Sequence, residues 1–209
     1  MTLESSPDHY EMTSLLEPLD AGLEPALASL RARLARDAQL THTLDVAYRV
    51  VDSPVGKLLL AATDRGIVRV AFEVEGHDDV LQHLSDTVSA RILQAPARLD
   101  DAAQQLDEYF EGTRTEFDLT LDFRLSRGFR LSVLQHLPRI AYGRTESYAE
   151  VALAAGSPNA VRAVGTACAT NPLPVIIPCH RVVKSDGNFG GYLGGPDAKR
   201  ALLTLEAAA

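Results

Sequence analysis

The stretch Asn171-Pro172-Leu173-Pro174-Val175-Ile176-Ile177-Pro178-Cys179-His180-Arg181-Val182-Val183 constrains the chain more than any other. Its three prolines have no amide proton, so neither a long helix nor a central strand can run through it. Between them, Val175 to Ile177 are β-branched and apolar and read as a short buried strand that ends at Pro178. Cys179 then lies where a strand gives way to a turn, a place where reactive groups are often displayed. Successive strand residues face opposite ways, so a direct Cys179–His180 contact is awkward and a relay through water fits better. Two readings of the thiol stand side by side. Free cysteines are most often small core hydrophobes, whereas His180 and Arg181 alongside would favour a thiolate.

Length and composition set the frame. A chain of 209 residues that is 46% hydrophobic suits one or two soluble domains with a real core. It contains no run of about 18 apolar residues, so neither a membrane span nor a membrane partner is expected. The acidic start, Met1 to Asp20, lacks the basic-then-apolar pattern of a secretory signal. Cys168 and Cys179 are the only cysteines, too few for a disulfide framework or a cysteine zinc site. A reduced, cytoplasmic setting is expected. The net charge of −8 argues against a nucleic-acid partner, but its distribution argues for one. Residues 124–209 carry ten Lys/Arg against five Asp/Glu, and residues 1–123 carry ten against twenty-three. A basic working half and an acidic half kept off the partner would look like this, and so would chance.

In chain order, residues 1–44 read as an appendage. Met1 to Gly22 is polar and acidic and is expected to be loosely ordered. From Glu24 to Leu40, Leu27, Leu30, Leu34 and Ala38 recur at helical spacing and predict an amphipathic helix, packing on its own domain in preference to a membrane or partner. Residues 45–123 are predicted as an α/β scaffold. Its strands are Val46–Val51, Lys57–Thr63 and Ile67–Phe72 in an antiparallel meander, with helices near 77–90 and 98–111 and a last strand over Phe117–Phe123. From residue 124 onward the pattern is mainly helical, beginning with Phe129–Ile140.

Ser147-Tyr148-Ala149-Glu150 is a capping box that starts a short helix stopped by Gly156. Ser157-Pro158 is expected to start a second helix, running to about Thr170. Together they make a helix-turn-helix candidate, although such hairpins also occur in ordinary cores. The second helix is built from small residues, with Ala160, Val161 and Gly165 among them and Arg162 as its only charge. It would suit either close helix packing or close approach to a partner. Further on, Gly187 to Gly195 holds five glycines in nine residues, either a flexible linker or, with Tyr192 in its middle, the wall of a flat pocket. A final helix is predicted over Asp197–Glu206.

The order Tyr142-Gly143, Ser147-Tyr148, Ala160-Val161-Arg162-Ala163-Val164-Gly165, Asn171-Pro172, Pro178-Cys179-His180-Arg181 and Gly191-Tyr192-Leu193-Gly194-Gly195 closely resembles the methylated-DNA–protein-cysteine methyltransferases, the 6-O-alkylguanine alkyltransferases. The resemblance covers about Val46 to Glu206. It implies an α/β domain with an antiparallel sheet, then a mainly α, winged-helix-like domain carrying the helix-turn-helix. It also implies that Cys179 accepts the alkyl group once and is consumed. Glu206 would orient His180, which draws the thiol proton through water, and Asn171 would brace the turn. Tyr148 would assist protonation of the departing guanine and turn the phosphate behind the target base. Arg162 would fill the place of the flipped nucleotide, with the small-residue helix (Ala160, Val161, Gly165) in the minor groove. Ser185, Val182, Tyr192, Leu193 and Gly194 would line the guanine site. The implied partner is double-stranded DNA containing alkylated guanine, with 4-O-methylthymine as a second substrate. The protein would act as a monomer without cofactor.

This sequence departs from the family pattern at several points. Leu134 replaces a common Trp, Ala141 a frequent Pro, and Leu205 the usual His before Glu206. Cys168 reads as a packing residue or a second, less reactive thiol. The four-cysteine zinc domain of the adaptive regulators is missing, and only His9 and His42 are on hand for a zinc site near the N-terminus. Neither metal nor transcriptional activation is expected. Two other functions remain open. An alkyltransferase-like lesion binder would lack the acceptor cysteine, and a Cys-His hydrolase would need turnover and an oxyanion hole.

Overall fold

The computed structural model describes residues 9–208, with side chains described from residue 25 onward. It divides into two units, Met1–Thr43 and Leu44–Ala209. In the first, α1 spans His9–Leu40. It begins well before the expected Glu24, because the strong helix formers Leu15, Leu16, Glu17, Leu19 and Ala21 outweigh Pro18 and Gly22. The expectation of loose order for residues 1–8, and the side chain of His9, lie outside the described residues. α1 ends in a Schellman-type turn. His42 takes a left-handed φ of 52°, and Thr43 N bonds back to Ala38 O at 2.9 Å.

Leu44–Ala209 begins with β1 (Val46–Val51), β2 (Leu58–Thr63) and β3 (Gly66–Phe72), paired antiparallel as the alternation and turn residues predict. Every residue of β2 is buried, which explains its unbroken apolar sequence Leu58 to Ala62. Leu58 and Leu60 face one core with α3 (Asp100–Phe110), while Leu59 and Ala61 face another with α2 (His77–Thr87). A short strand that the sequence reading omits, β4 (Ile92–Gln94), pairs parallel to β1 and completes the sheet in the order β3-β2-β1-β4. Three residues are too few for a period-2 pattern to register.

The strand expected over Phe117–Phe123 is not formed. One parallel bridge, Ile67 to Leu121, takes its place. Ile67 N donates to Thr120 O (2.9 Å) and Asp122 N to Ile67 O (2.8 Å), and the chain then turns away. Asp122 causes the turn. Its carboxylate accepts from Arg124 N at 3.0 Å and from the Thr63 hydroxyl at 2.6 Å, opening a 3-10 turn over Phe123–Leu125. The alternation of Phe117, Leu119, Leu121 and Phe123 therefore reflects packing against the core, not a ladder.

The remaining elements are α4 (Gly128–His136), β5 (Glu146–Ser147), α5 (Tyr148–Ala154), α6 (Val161–Ala169), β6 (Val182–Val183) and α7 (Gly195–Ala207), with β5 and β6 paired in parallel. The capping box of α5 forms as expected, Ser147 N to Glu150 Oε2 at 2.6 Å and Glu150 N to Ser147 Oγ at 3.2 Å. α6 starts three residues later than Pro158. Ala160 N bonds to Ser157 O (2.9 Å), so Ser157 closes a turn instead of capping the helix. The fold is thus a mixed α/β part with a sheet followed by a mostly helical part with a helix-turn-helix, α5–α6. One core cluster joins Leu60, Val70, Leu106 and Tyr109 of the first part to Leu134, Val164, Ile177 and Leu202 of the second.

Gly66 marks the tightest approach in the scaffold. Its φ is 127°, and a Cβ there would lie 2.2 Å from Thr120 O. Gly66→Ala should lower stability by about 2 kcal/mol or more in urea denaturation, because both the backbone angle and the Thr120 carbonyl oppose the methyl group.

Candidate active site

Turns, not a strand, hold the stretch from Asn171 to Arg181, ahead of β6, and Asn171 closes them. Its Oδ1 accepts from Leu173 N at 2.9 Å, and its Nδ2 donates to Ile177 O at 2.9 Å and to Cys179 Sγ at 3.1 Å. Ile177 N returns to Leu173 O at 2.8 Å, and Val175 sits at a φ of 71°. That conformation is costly for a β-branched residue and persists only where surrounding contacts over-determine it. The expected strand over Val175–Ile177 is replaced because Pro172, Pro174 and Pro178 deny it a ladder and Asn171 supplies the missing partners. From the first part of the fold, Val70 N on β3 donates to Pro172 O at 2.8 Å and pins the segment from outside.

Cys179, His180 and Arg181 form one 3-10 turn, and all three are buried. They do not alternate as strand residues would. His180 Nε2 lies 2.7 Å from Glu206 Oε1, so α7 and the turn meet at this pair. Glu206 Oε1 also accepts from Tyr109 Oη (2.6 Å) and Arg181 Nη2 (3.0 Å). Its Oε2 accepts from Arg181 Nε (2.9 Å) and Gly143 N (3.3 Å). Burial would raise the Glu206 pKa, but the hydrogen bonds from His180 and Arg181 prevail and hold it down to about 2. Burial keeps His180 below the usual imidazole range, against the pull of Glu206. A neutral His180 beside an ionised Glu206 must carry its proton on Nε2, which leaves Nδ1 as an acceptor. Nδ1 is buried and has no hydrogen-bond partner among the described residues.

Arg181 does not serve the thiol, as its position in sequence suggested. Besides gripping Glu206, its Nη1 donates to Ile140 O at 2.6 Å, and its guanidinium lies 5.7 Å from the Tyr142 ring centroid. The cation near the thiol is Lys199, which the sequence reading did not single out. Lys199 is buried on α7, and its Nζ donates to Val182 O at 2.6 Å and to Phe189 O. A signal for it existed, since Lys199 shares a helix face with Leu202 and Glu206. Burial pushes the Cys179 thiol up to about 11, with the Asn171 amide and Lys199 opposing that rise. Cys168, buried on α6, is pushed up further by burial and by Cys179.

The other predicted site residues fall into two groups. Tyr148 packs under the glycine loop, where a Cβ on Gly190 would lie 2.8 Å from its hydroxyl. Burial and then the two thiols raise its pKa. Tyr192 lies edge-on to Phe72 (5.5 Å) and to His180 (6.3 Å), with its hydroxyl buried and without a partner among the described residues. Leu193 is partly buried, Val182 is in the core, and Gly194 fits against Phe72, where a Cβ would come within 2.7 Å of the ring. Ser185, Val161 and Arg162 are exposed, and Ala160 and Gly165 are half-buried. None of them is hydrogen-bonded to Cys179, His180, Arg181 or Glu206. No group of three or more metal-ligating side chains occurs among the described residues, and none of their helices is long and apolar enough to cross a membrane.

Two family models match the chain. The 6-O-methylguanine DNA methyltransferase ribonuclease-like domain matches residues 46–123, and the DNA-binding domain of the same family matches residues 128–208. A methylated-DNA–protein-cysteine methyltransferase from Mycolicibacterium paratuberculosis is 39% identical over 161 residues, covering 77% of this chain and 92% of the relative. A constitutive one from Bacillus subtilis is 39% identical over 160 residues, covering 76% and 94%. Among solved structures, Mycobacterium tuberculosis OGT in complex with DNA is similar with a TM-score of 0.67 at 39% identity, covering 78% of this chain and 93% of that one.

The Glu206 cluster sets an acid limit on stability. A carboxylate whose folded pKa lies near 2 and whose unfolded value is 4.5 contributes stability above about pH 4.5 and loses it as pH falls toward 2. The loss should reach about 3 kcal/mol. Glu206→Gln leaves Arg181 buried without its counter-charge and should cost about 3–5 kcal/mol at neutral pH, with a flatter acid limb in urea titrations.

Proposed function

The chain belongs to the 6-O-methylguanine DNA methyltransferase family, and from that premise we propose that Cys179 is the residue on which its alkyl group ends. The activity is direct reversal of DNA alkylation damage. An alkyl group leaves the 6-oxygen of a flipped guanine in double-stranded DNA and is carried irreversibly by a cysteine of the protein, one turnover per molecule. The observation that favours Cys179 over Cys168 is the Asn171 Nδ2 contact of 3.1 Å to its sulfur, one residue from the His180–Glu206 pair.

In this reading the thiol rests protonated, because burial holds its pKa near 11. His180 Nδ1 takes the proton, through water where the two groups do not touch, and Glu206 stabilises the imidazolium that forms. Asn171 Nδ2–H and Lys199 stabilise the thiolate. Sulfur attacks the alkyl carbon in line with the C–O6 bond, which breaks with its electron pair passing to the guanine. The Tyr148 hydroxyl, aligned under the glycine loop, donates to the departing base. The products are a thioether on Cys179 and an unmodified guanine, and no group at the site is suited to cleave a thioether.

Extruding the base costs about a few kcal/mol. Arg162, exposed on α6 among small residues, is suited to fill the gap, with Ala160, Val161 and Gly165 allowing close approach to the minor groove. Ser185 would contact the backbone, and Tyr192, Leu193, Gly194 and Val182 would shape the base site. Residues 45–123 act as scaffold and 124–209 as the DNA-binding and acceptor part. The protein works as a monomer in a reducing cytoplasmic setting.

Cys179→Ala should bind lesion-bearing duplex and accept no radiolabelled methyl group, whereas label appearing on that variant would sink the assignment. Arg162→Ala should keep the acceptor thiol yet slow transfer from duplex roughly tenfold, with little change on single strands. Burial holds His180 below the usual imidazole range, so it stays neutral down through that range, and wild-type transfer should be flat across neutral pH and fall only on acidification below it. In His180→Gln the thiolate must form by simple titration, so the single-turnover rate should climb about tenfold per pH unit toward 11.

A further inference from the structure

The proton path described above runs through residues of α7 and the 3-10 turn, yet one group on Glu206 comes from the other part of the fold. Tyr109 lies on α3 and is fully buried. Its ring sits among Phe110 (5.3 Å), Phe117 (5.3 Å) and Tyr142 (6.0 Å). The hydroxyl reaches past them to Glu206 Oε1 at 2.6 Å and stands 3.5 Å from His180 Nε2. Because Nε2–H already points at Oε1, the longer contact is not a second strong bond. The two donors converge on one oxygen, with Arg181 Nη2 as the third.

We propose that Tyr109 is a positioning residue for the alkyl transfer, whose hydroxyl draws charge from Glu206 and thereby keeps His180 a neutral Nε2–H imidazole with Nδ1 free to take the thiol proton. The proposal rests on the reading of Cys179 and His180 given above. A buried phenol within an apolar stripe needs a partner, but a partner on the same carboxylate oxygen as a catalytic imidazole does more than satisfy itself. Each donor on Oε1 lowers the attraction of that oxygen for a proton on His180. The other groups facing the pair are fixed. Arg181 lies across Glu206, Gly143 N is on Oε2, Lys199 acts on His180 from α7, and the Tyr142 and Tyr192 rings flank Arg181 and His180. Besides His180 itself, only Tyr109 among the described residues brings a neutral donor to Oε1. The ribonuclease-like part therefore contributes to the chemistry as well as to the scaffold.

The test is Tyr109→Phe in the full chain, which keeps the ring and removes only the hydroxyl. Two readouts are needed, single-turnover transfer from 6-O-methylguanine duplex between pH 5 and 9 and the His180 titration followed by NMR in unreacted protein. With one donor fewer, Glu206 holds an imidazolium more firmly. The His180 midpoint and the acid limb of the rate should both move up by about one pH unit. A uniform loss of rate with both midpoints unchanged would show a purely structural role and overturn the proposal. Should the Phe variant not fold, a fluorinated tyrosine at position 109, a more acidic donor, should move both midpoints down, and unmoved midpoints would again overturn it. The His180 titration reads the Tyr109 coupling whichever cysteine accepts the alkyl group. Failure of the Cys179 assignment, seen as label on Cys179→Ala, is thus separate from failure here.

Discussion

One buried carboxylate organises the reactive end of this protein. Glu206 stands on the last helix, 2% exposed, and accepts from His180, Arg181, Tyr109 and the amide of Gly143. A carboxylate so far from water would ordinarily protonate, because its charge is expensive in a low-dielectric interior. Five hydrogen bonds from four residues reverse that preference. They come from α3, the Tyr142-Gly143 turn and the reactive turn, and Arg181 also donates to Ile140 O, just beyond α4. Gly143 must be glycine here for a steric reason too. Its φ is 70°, and a Cβ would stand 2.8 Å from Glu206 O.

The second constraint is the proline-rich stretch that delivers the thiol. A chain that cannot form a ladder must still satisfy its polar groups, and the Asn171 side chain does so by using both ends of its amide. The same amide touches Cys179 Sγ, so the group that shapes the turn also sets the electrostatics of the sulfur. Lys199 does similar double duty. It ties β6 and the glycine loop to α7 through two carbonyls while its charge opposes the desolvation of the thiol. Structure and chemistry here are carried by the same atoms, and a substitution at either residue would perturb both.

Local signals were legible in the sequence wherever local interactions decide the outcome. The capping box at Ser147–Glu150 and the meander of β1 to β3 follow from residues close together in the chain. What escaped depended on distant partners. The alternation over Phe117–Phe123 looked like a strand, but Asp122 bonds to Thr63 and Arg124 and turns the chain out of the sheet. Val175–Ile177 had strand residues, but Asn171 and the prolines made turns. At the site, the motif order brought Cys179, His180 and Asn171 into view, and the family resemblance added Glu206. Tyr109 lay unmarked in the helix predicted near 98–111, and Lys199 in the final helix. Each could have been suspected on one ground, a polar tip placed on the buried face of a helix.

The resting state of the thiol bears on why a protein consumed by one reaction is built this way. With a pKa near 11, Cys179 is a thiolate in only about one molecule in ten thousand at neutral pH. An exposed, acidic thiol would be spent on any passing electrophile, and each such event would remove the protein permanently. Burial protects it, and in the mechanism we propose the neutral His180 beside an anchored Glu206 restores reactivity only where an alkyl carbon has been brought in line with the sulfur. Selectivity then comes from the coupling of base binding to proton removal, not from intrinsic nucleophilicity. On that proposal, the tight carboxylate cluster is what allows a buried, protonated cysteine to be both stable in storage and competent when a base enters.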